Sequence, residues 1–350
     1  MSQSYGRVIN LKGNRGQLDG ATYVGRSMSM GGAPIEGSKY ANRAVVGAPG
    51  KRVRKGCVLV GNNLEACQWY AEWIAKRPDL IESARAELRG KTLACWCAPH
   101  PCHANVLLMI ANNGQPPPRG RVRMDSFRMR QPKKFLPNYH TLVVKARVKR
   151  WAALSPMKLV PQPFYEIRNG VRCLVEPTCL ENMWQASKVE AKYFDPDDPM
   201  GAPPVAEWWA RRDRIFADPK AHRHVVAKAD RCEPKDARVY WKGEYLSYEV
   251  ARRVVYLQQY ATLAIGTKEF KEMVRMMESG YNLLIVGPDG RDIKLSTEAE
   301  EKGADSGGDD GTPPGLERED FVAALKDISK PAGHEFALAA MLAGYVPHLL

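Results

Sequence analysis

Apolar and polar positions follow two periods along this chain. The short apolar runs RVINL (7–11), TYVG (22–25) and KTLACWC (91–97) predict buried strands, whereas Leu64–Arg77 repeats apolar residues at helical spacing and predicts a helix ending before Pro78. Glu82–Leu88 and Cys102–Asn112 read as two further helices. Strand, helix, strand, helix predicts a small α/β domain over residues 1–113. Farther on, helices are predicted at Glu181–Phe194, Val205–Phe216, Tyr248–Ala264 and Lys268–Ser279, with a strand at Asn282–Val286 and a last helix in HEFALAAMLAGY. The expected fold class is α/β: a small Rossmann-like N-terminal domain, then a larger, helix-rich α/β or α+β second domain. No internal repeat is visible.

Breakers and charge refine this division. NGQPPP (113–118) marks a boundary, so the chain reads as domain 1–113, a Pro-rich and basic linker 114–150, and a second domain 151–350. With 350 residues, 26% charged and 44% hydrophobic, the composition excludes disorder throughout and collagen. The net charge is +13, from 52 Lys and Arg against 39 Asp and Glu, which favours an anionic partner. Ten of those charges lie in 119–150, where eleven basic residues face the single acid Asp125. That stretch predicts nucleic-acid contact or, equally, a solvated linker. Residues 298–320 hold nine acids and predict a disordered insertion. No run reaches the ~18–20 apolar residues of a membrane span, so no membrane contact is expected. MSQSYGRVIN lacks the pattern of a signal peptide, so a cytoplasmic location is expected, with the eight cysteines as thiols or metal ligands.

CWCAPHPCH gathers Cys95, Cys97, His100, Cys102 and His103 within nine residues. Three readings stand. Cys95, Cys97, Cys102 and His103 suit zinc, although no second Cys-x-x-Cys supplies a separate knuckle. Alternatively, Cys102 lies at a helix start, where the dipole and free N–H groups lower a thiol pKa or hold a phosphate, making it a candidate nucleophile. The third reading takes Cys95 and Cys97 as small buried strand residues, with His103 making a capping contact.

RVINL, TYVGR (22–26), the Gly-rich segment with GG at 31–32, GS at 37–38 and AN at 41–42, and LRGKTLACWCAPHPCHANVL (88–107) together resemble the domain of unknown function 4326 family over residues 7–113. One departure is Asn42-Arg43-Ala44, where that family usually has Asn-Pro-Phe. The resemblance implies a Rossmann-like α/β fold with the Cys-His motif at a strand-to-helix turn, and no reaction. Gly25 and Arg26 after TYV and the segment from Cys97 to His103 are then expected to line one ligand pocket at strand ends.

A second set of residues carries different chemistry. In EPTCLENMWQASKV, Glu181, Trp184, Gln185 and Lys188 fall at i, i+3, i+4 and i+7, one face of a helix. They suit a nucleotide, with Trp184 stacking on a base, or else a half-buried helix with a surface Glu–Lys pair. Tyr240–Tyr260 mixes five Tyr with Arg252 and Arg253, a pattern of nucleotide contact or of amphipathic core. Asp289, in VGPDG, follows a strand where α/β sheets place functional carboxylates, and Pro-Asp-Gly also makes turns. LENMWQASKV, YWKGEYLSYEVARRVVY, NLLIVGPDG and GHEFALAAML (333–342) are similar to a phage-type uncharacterised group over about 165–344. Their Glu-x-x-x-Gln-x-x-Lys helix resembles the NADAR superfamily, associated with ADP-ribose and N-glycosidic bonds; its glycine-rich ending is not evident here. The resemblance implies site roles for Glu181, Lys188, Arg252, Asp289 and His334. For cleavage of an N-glycosidic bond, Glu181 or Asp289 is the expected carboxylate, and Lys188 and Arg252 are expected to hold phosphate. The function expected is a nucleotide- or nucleoside-handling protein acting on an N-glycosidic or ADP-ribose-type bond. The alternatives are a non-catalytic nucleic-acid-associated phage or virus protein and a zinc-stabilised structural protein.

Overall fold

The computed structural model describes all residues except 1–4, 12–17, 19, 31–32, 127–135, 137, 169, 196, 199–200, 224, 226–231, 234 and 291–311. The fold is α/β, in two compact units. One comprises Met1–Gly120 with Arg275–Tyr281, the other Arg121–Val274 with Asn282–Leu350.

The first unit contains β1 (Arg7–Asn10), β2 (Thr22–Tyr23), β3 (Met28–Met30), β4 (Ala33–Ile35), β5 (Ala44–Val46), β6 (Val58–Val60), α1 (Asn63–Ala75), α2 (Pro78–Glu87), β7 (Thr92–Cys95) and α3 (His103–Ala111). Its main sheet is parallel, in the order β1-β7-β2. The central strand buries Leu93, Ala94 and Cys95 in succession. A parallel strand covered on both faces reads as a continuous apolar run, which is why KTLACWC was legible. α3 buries Ala104, Leu107, Leu108 and Ala111, spaced i, i+3, i+4 and i+7. Pro78 follows the first helix and also opens the next, at the first position of α2, where its missing N–H removes no helical bond. The Gly31-Gly32 pair lies outside the described residues.

The second unit contains β8 (Val122–Ser126), β9 (Tyr139–Val143), β10 (Phe164–Arg168), β11 (Val171–Val175), α4 (Leu180–Ala186), β12 (Lys188–Val189), α5 (Ala206–Ala217), β13 (Arg238–Trp241), β14 (Glu244–Ser247), α6 (Tyr248–Ala251), α7 (Gln258–Ala264), α8 (Lys268–Glu278), β15 (Asn282–Gly287), α9 (Arg318–Lys326) and α10 (His334–Leu342). α8 groups with the first unit from Arg275 on. A π-helical stretch, Arg252–Leu257, joins α6 to α7. The parallel sheet β8-β15-β9 is the centre of this unit. In β15 every residue from Leu283 to Gly287 is buried. Two antiparallel pieces, the hairpin β10-β11 and the sheet β12-β13-β14, complete it.

Several expectations are corrected here. The segment expected as a linker, 114–150, supplies β8 and β9. Val122 and Met124 of β8 alternate with Arg121 and Arg123, so charge hid a period of two; β9 buries Tyr139 and Leu142, three residues apart, and shows no such period. The helix expected over Glu181–Phe194 stops at Ala186. Ser187 Oγ bonds back to Met183 O at 2.7 Å, and Lys188–Val189 then pairs with β13. The last helix is not amphipathic: α10 buries His334–Ala340 and Leu342. Of the acidic segment, 298–311 lies outside the described residues, but Thr312–Asp320 is ordered. Leu316 N donates to Val122 O at 2.9 Å, and Glu317 and Asp320 form a capping box on α9.

A buried ion pair ties β10 to α5. Arg212, 1% exposed, donates through both terminal nitrogens to the two Glu166 oxygens at 2.8 Å, and Arg168 adds bonds to Glu166 and Asp213. Among the described residues, no helix is long and apolar enough to cross a membrane.

Candidate functional site

Glu181, Trp184, Gln185, Lys188, Arg252, Asp289 and His334 all line one cavity of ≈ 490 Å³ in the second unit. Its floor is the carboxyl end of the parallel sheet. Lys145 and Ala146 follow β9, Pro288 and Asp289 follow β15, and Gly333–His334 opens α10. Strand ends in a parallel sheet leave such a crevice, so residues distant in sequence converge there.

The residues read as one helical stripe do meet, although Lys188 has left the helix. Gln185 Nε2 donates to Glu181 Oε1 at 2.9 Å, and Lys188 Nζ donates to Gln185 Oε1 at 2.9 Å. Burial pushes the Glu181 carboxyl above its ordinary value. Trp184 is buried among Tyr248 and Tyr256, with Lys188 Nζ 4.9 Å from its ring centre. An occupied ring face does not offer a base platform; half-buried Tyr248 is the more available aromatic. The expected phosphate role of Arg252 is corrected as well. Its terminal nitrogens donate to Leu325 O and Lys330 O, holding the turn that leads into Pro331–His334. Lys145, Lys188, Arg223 and Arg238 bring further positive charge to the lining. Of the aromatic run, Tyr240 and Tyr260 are core residues, Tyr260 donating to Leu154 O at 2.8 Å.

Glu335 is a site residue that the sequence reading missed. It is fully buried and its Oε2 has no hydrogen-bond partner, yet that oxygen lies 3.3 Å from His334 Nδ1. Its other oxygen accepts a long bond from the Asp289 amide at 3.5 Å. Burial raises its pKa, opposed by His334. Close approach depends on glycine: a Cβ at Gly287 would stand 1.7 Å from Glu335 Oε1, and one at Gly333 2.9 Å from Asp289 Cβ. The signal in the sequence was a lone acid, just after Gly-His, in an otherwise apolar helix.

In the first unit, Gly25, Arg26, Cys95, Cys97 and His103 border a second cavity of ≈ 520 Å³, again at strand ends, after β2 and β7. A Cβ on Gly25 would meet Tyr23 Oη at 2.4 Å, and exposed Arg26 stands at the rim beside Lys51, Arg52 and Arg54. Cys102 is outside this lining, 2% exposed. Its thiol is pushed up by donating to Cys95 and Cys97 and by burial, which argues against the expected nucleophile. The lowered thiol is Cys95, held well below its ordinary value by hydrogen bonds from Cys102 and Cys97. Ligand atoms of Cys95, Cys97, Cys102 and His103 all lie within 4.8 Å of one another, a cluster that could hold a metal ion; His100 is not part of it. Residues 9–113 match the family described as Domain of unknown function (DUF4326). No curated protein and no solved structure matches the chain. Within the DUF4326 region, the departure at Asn42-Arg43-Ala44 still makes a pinned loop. Asn42 accepts from Ala44 N at 2.8 Å and donates to Ala66 O at 3.0 Å.

Of the basic stretch 119–150, Arg128, Arg130, Lys133 and Lys134 lie outside the described residues. Arg121 and Arg123 donate to Thr312 O and Pro314 O, and Arg150 pairs with Glu272 at 2.5 Å. Part of this charge therefore serves the second unit's own structure.

Proposed function

We propose that the second unit binds a phosphorylated ribosyl compound and hydrolyses its N-glycosidic bond. The observation that carries this reading is the meeting of Glu181, Lys188, Asp289 and His334, with the buried Glu335 behind them, at one cationic cavity. Hydrolysis at C1′ passes through an oxocarbenium-like state, which asks for one carboxyl that keeps a proton for the leaving base and one that activates water. Glu181, raised by burial, suits the first role. Exposed Asp289 at the end of β15 suits the second. As the C1′–N bond breaks, Glu181 gives its proton to the departing nitrogen. Water oxygen bonds to C1′, and Asp289 takes the water proton. Lys188 and its neighbouring cations hold the phosphate, and Tyr248 offers a ring to the base. The Glu-x-x-x-Gln-x-x-Lys spacing of Glu181, Gln185 and Lys188, which resembles the NADAR superfamily, is in keeping with this reading.

Purified protein incubated with NAD, ADP-ribosylated nucleic acid, nucleosides and nucleoside 5′-phosphates should release free base, measured by chromatography. Glu181→Gln and Asp289→Asn should each slow release by about 10²-fold or more. No product above background, or undiminished product in Glu181→Gln, sinks the proposal.

A further inference from the structure

We propose that Cys95 Sγ, Cys97 Sγ, Cys102 Sγ and His103 Nδ1 bind one zinc ion in a closed, four-coordinate site that braces the turn from β7 to α3. The inference concerns the first unit and stands apart from the hydrolase reading of the second.

The distances already approach those of a tetrahedral site. Cys95 Sγ lies 3.6 Å from Cys97 Sγ and 3.8 Å from His103 Nδ1. Zinc–sulfur bonds of about 2.3 Å at tetrahedral angles separate two sulfurs by about 3.8 Å, and a sulfur from an imidazole nitrogen by about 3.6 Å. These two separations differ from the tetrahedral values by about 0.2 Å, and all four ligand atoms lie within 4.8 Å of one another.

The imidazole is set for ligation. His103 Nε2 stands 2.8 Å from Val24 O. A carbonyl only accepts, so Nε2 carries the hydrogen of that contact, which leaves Nδ1 as the nitrogen on the cysteine side, 3.8 Å from Cys95 Sγ. This second hydrogen bond is what orients most metal-bound histidines. The Tyr70 ring packs against the imidazole at 5.0 Å and fixes its plane.

The surroundings suit the charge. Three thiolates and a neutral imidazole around Zn²⁺ leave one net negative charge. Cys102 is the N-cap of the nine-residue helix α3 and has no side-chain capping bond, so the positive end of the helix faces that charge. Thiolates with one imidazole select zinc over the harder divalent ions. Four protein ligands leave no open position, which makes the role structural. Through Val24 the ion also fixes the end of β2, from which Gly25 and Arg26 reach the cavity rim.

The test is metal content of the full chain purified without chelator, by elemental analysis. One equivalent of zinc is expected. Cobalt(II) loading should give the visible bands of a tetrahedral ion and thiolate charge transfer. Cys97→Ser and Cys102→Ser should bind less metal and alter the thiolate bands. Cys67→Ser, a cavity-lining thiol outside the set, should keep full loading, separating ligation from general disturbance. If the ligand variants fail to fold, thiol-reagent release of zinc from the wild type, titrated against three thiolates, gives the same answer. Zinc far below one equivalent, iron with labile sulfide, or a cobalt spectrum unchanged in Cys97→Ser overturns the proposal.

Discussion

The two units solve one topological problem with opposite chemistry. Each has a three-stranded parallel sheet whose carboxyl edge opens on a cavity, ≈ 520 Å³ in the first and ≈ 490 Å³ in the second. In the first unit the titratable groups gathered at that edge are sulfurs from one stretch of eight residues plus the adjacent histidine, packed together and mostly sealed from solvent. In the second they are carboxylates and cations from segments more than a hundred residues apart, assembled by close approach of glycine backbone. A sheet edge provides the place, and the residues at its strand ends decide what happens there.

The comparison breaks most sharply if a structural ion pair of the second unit is removed. Glu166→Ala leaves the Arg212 guanidinium, 1% exposed, without its bidentate partner. Stranding a buried charge of this kind costs about 3–5 kcal/mol. Urea unfolding followed by tryptophan fluorescence should show that loss in one transition, while the zinc content proposed for the first unit is unchanged. A loss below about 1 kcal/mol, or parallel loss of metal, means the two units are not separable in this way.

A second, smaller effect tests the glycine contacts. Gly287→Ala places a methyl 1.7 Å from Glu335 Oε1, so α10 or the carboxyl must move. Overpacking of this type costs about 1–3 kcal/mol. Base release should fall with the stability, because Asp289 and His334 are carried by the two segments that separate. Gly25→Ala in the first unit meets the phenol end of Tyr23, whose displacement gives up the hydroxyl's bond to Arg26 O and the one it accepts from Trp96 Nε1 but moves no strand or helix, and should cost less. Equal losses in the two variants contradict the idea that the second site alone depends on backbone approach.

These differences explain what was legible beforehand. KTLACWC and CHANVLLMIAN announce a buried strand and a helix because each buries a simple pattern, and their junction is the Cys-His cluster itself. Glu181 to Lys188 were read as a stripe on one helix; they meet because β12 carries Lys188 back beside Gln185, a tertiary event that no helical spacing encodes. β8 was hidden by Arg121 and Arg123, which bond to Thr312 O and Pro314 O, and β9 by buried positions, Tyr139 and Leu142, that do not alternate. Glu335 escaped because a single acid beside His334 looks, in one dimension, like the solvated start of a helix. Its burial depends on β15 and Gly287, far away in sequence.

The smallest effect concerns that same carboxyl and separates an acid held neutral by burial from one held ionised by its neighbours. Burial raises the Glu335 pKa in the folded chain above the value of about 4.5 for an exposed Glu. Below that pH both folded and unfolded chains are protonated at this position, and its contribution to stability is complete. As pH rises past about 4.5 the unfolded chain loses the proton first, so the folded state is progressively penalised until pH passes the raised folded value. Glu335→Gln keeps the shape and cannot titrate. Its Tm should therefore gain on the wild type as pH rises past about 4.5. Glu181, also raised by burial, titrates in both proteins and cancels from the difference. Parallel Tm curves would mean that Glu335 does not carry a raised pKa, and a widening gap in favour of the wild type would mean that His334 holds it as the anion.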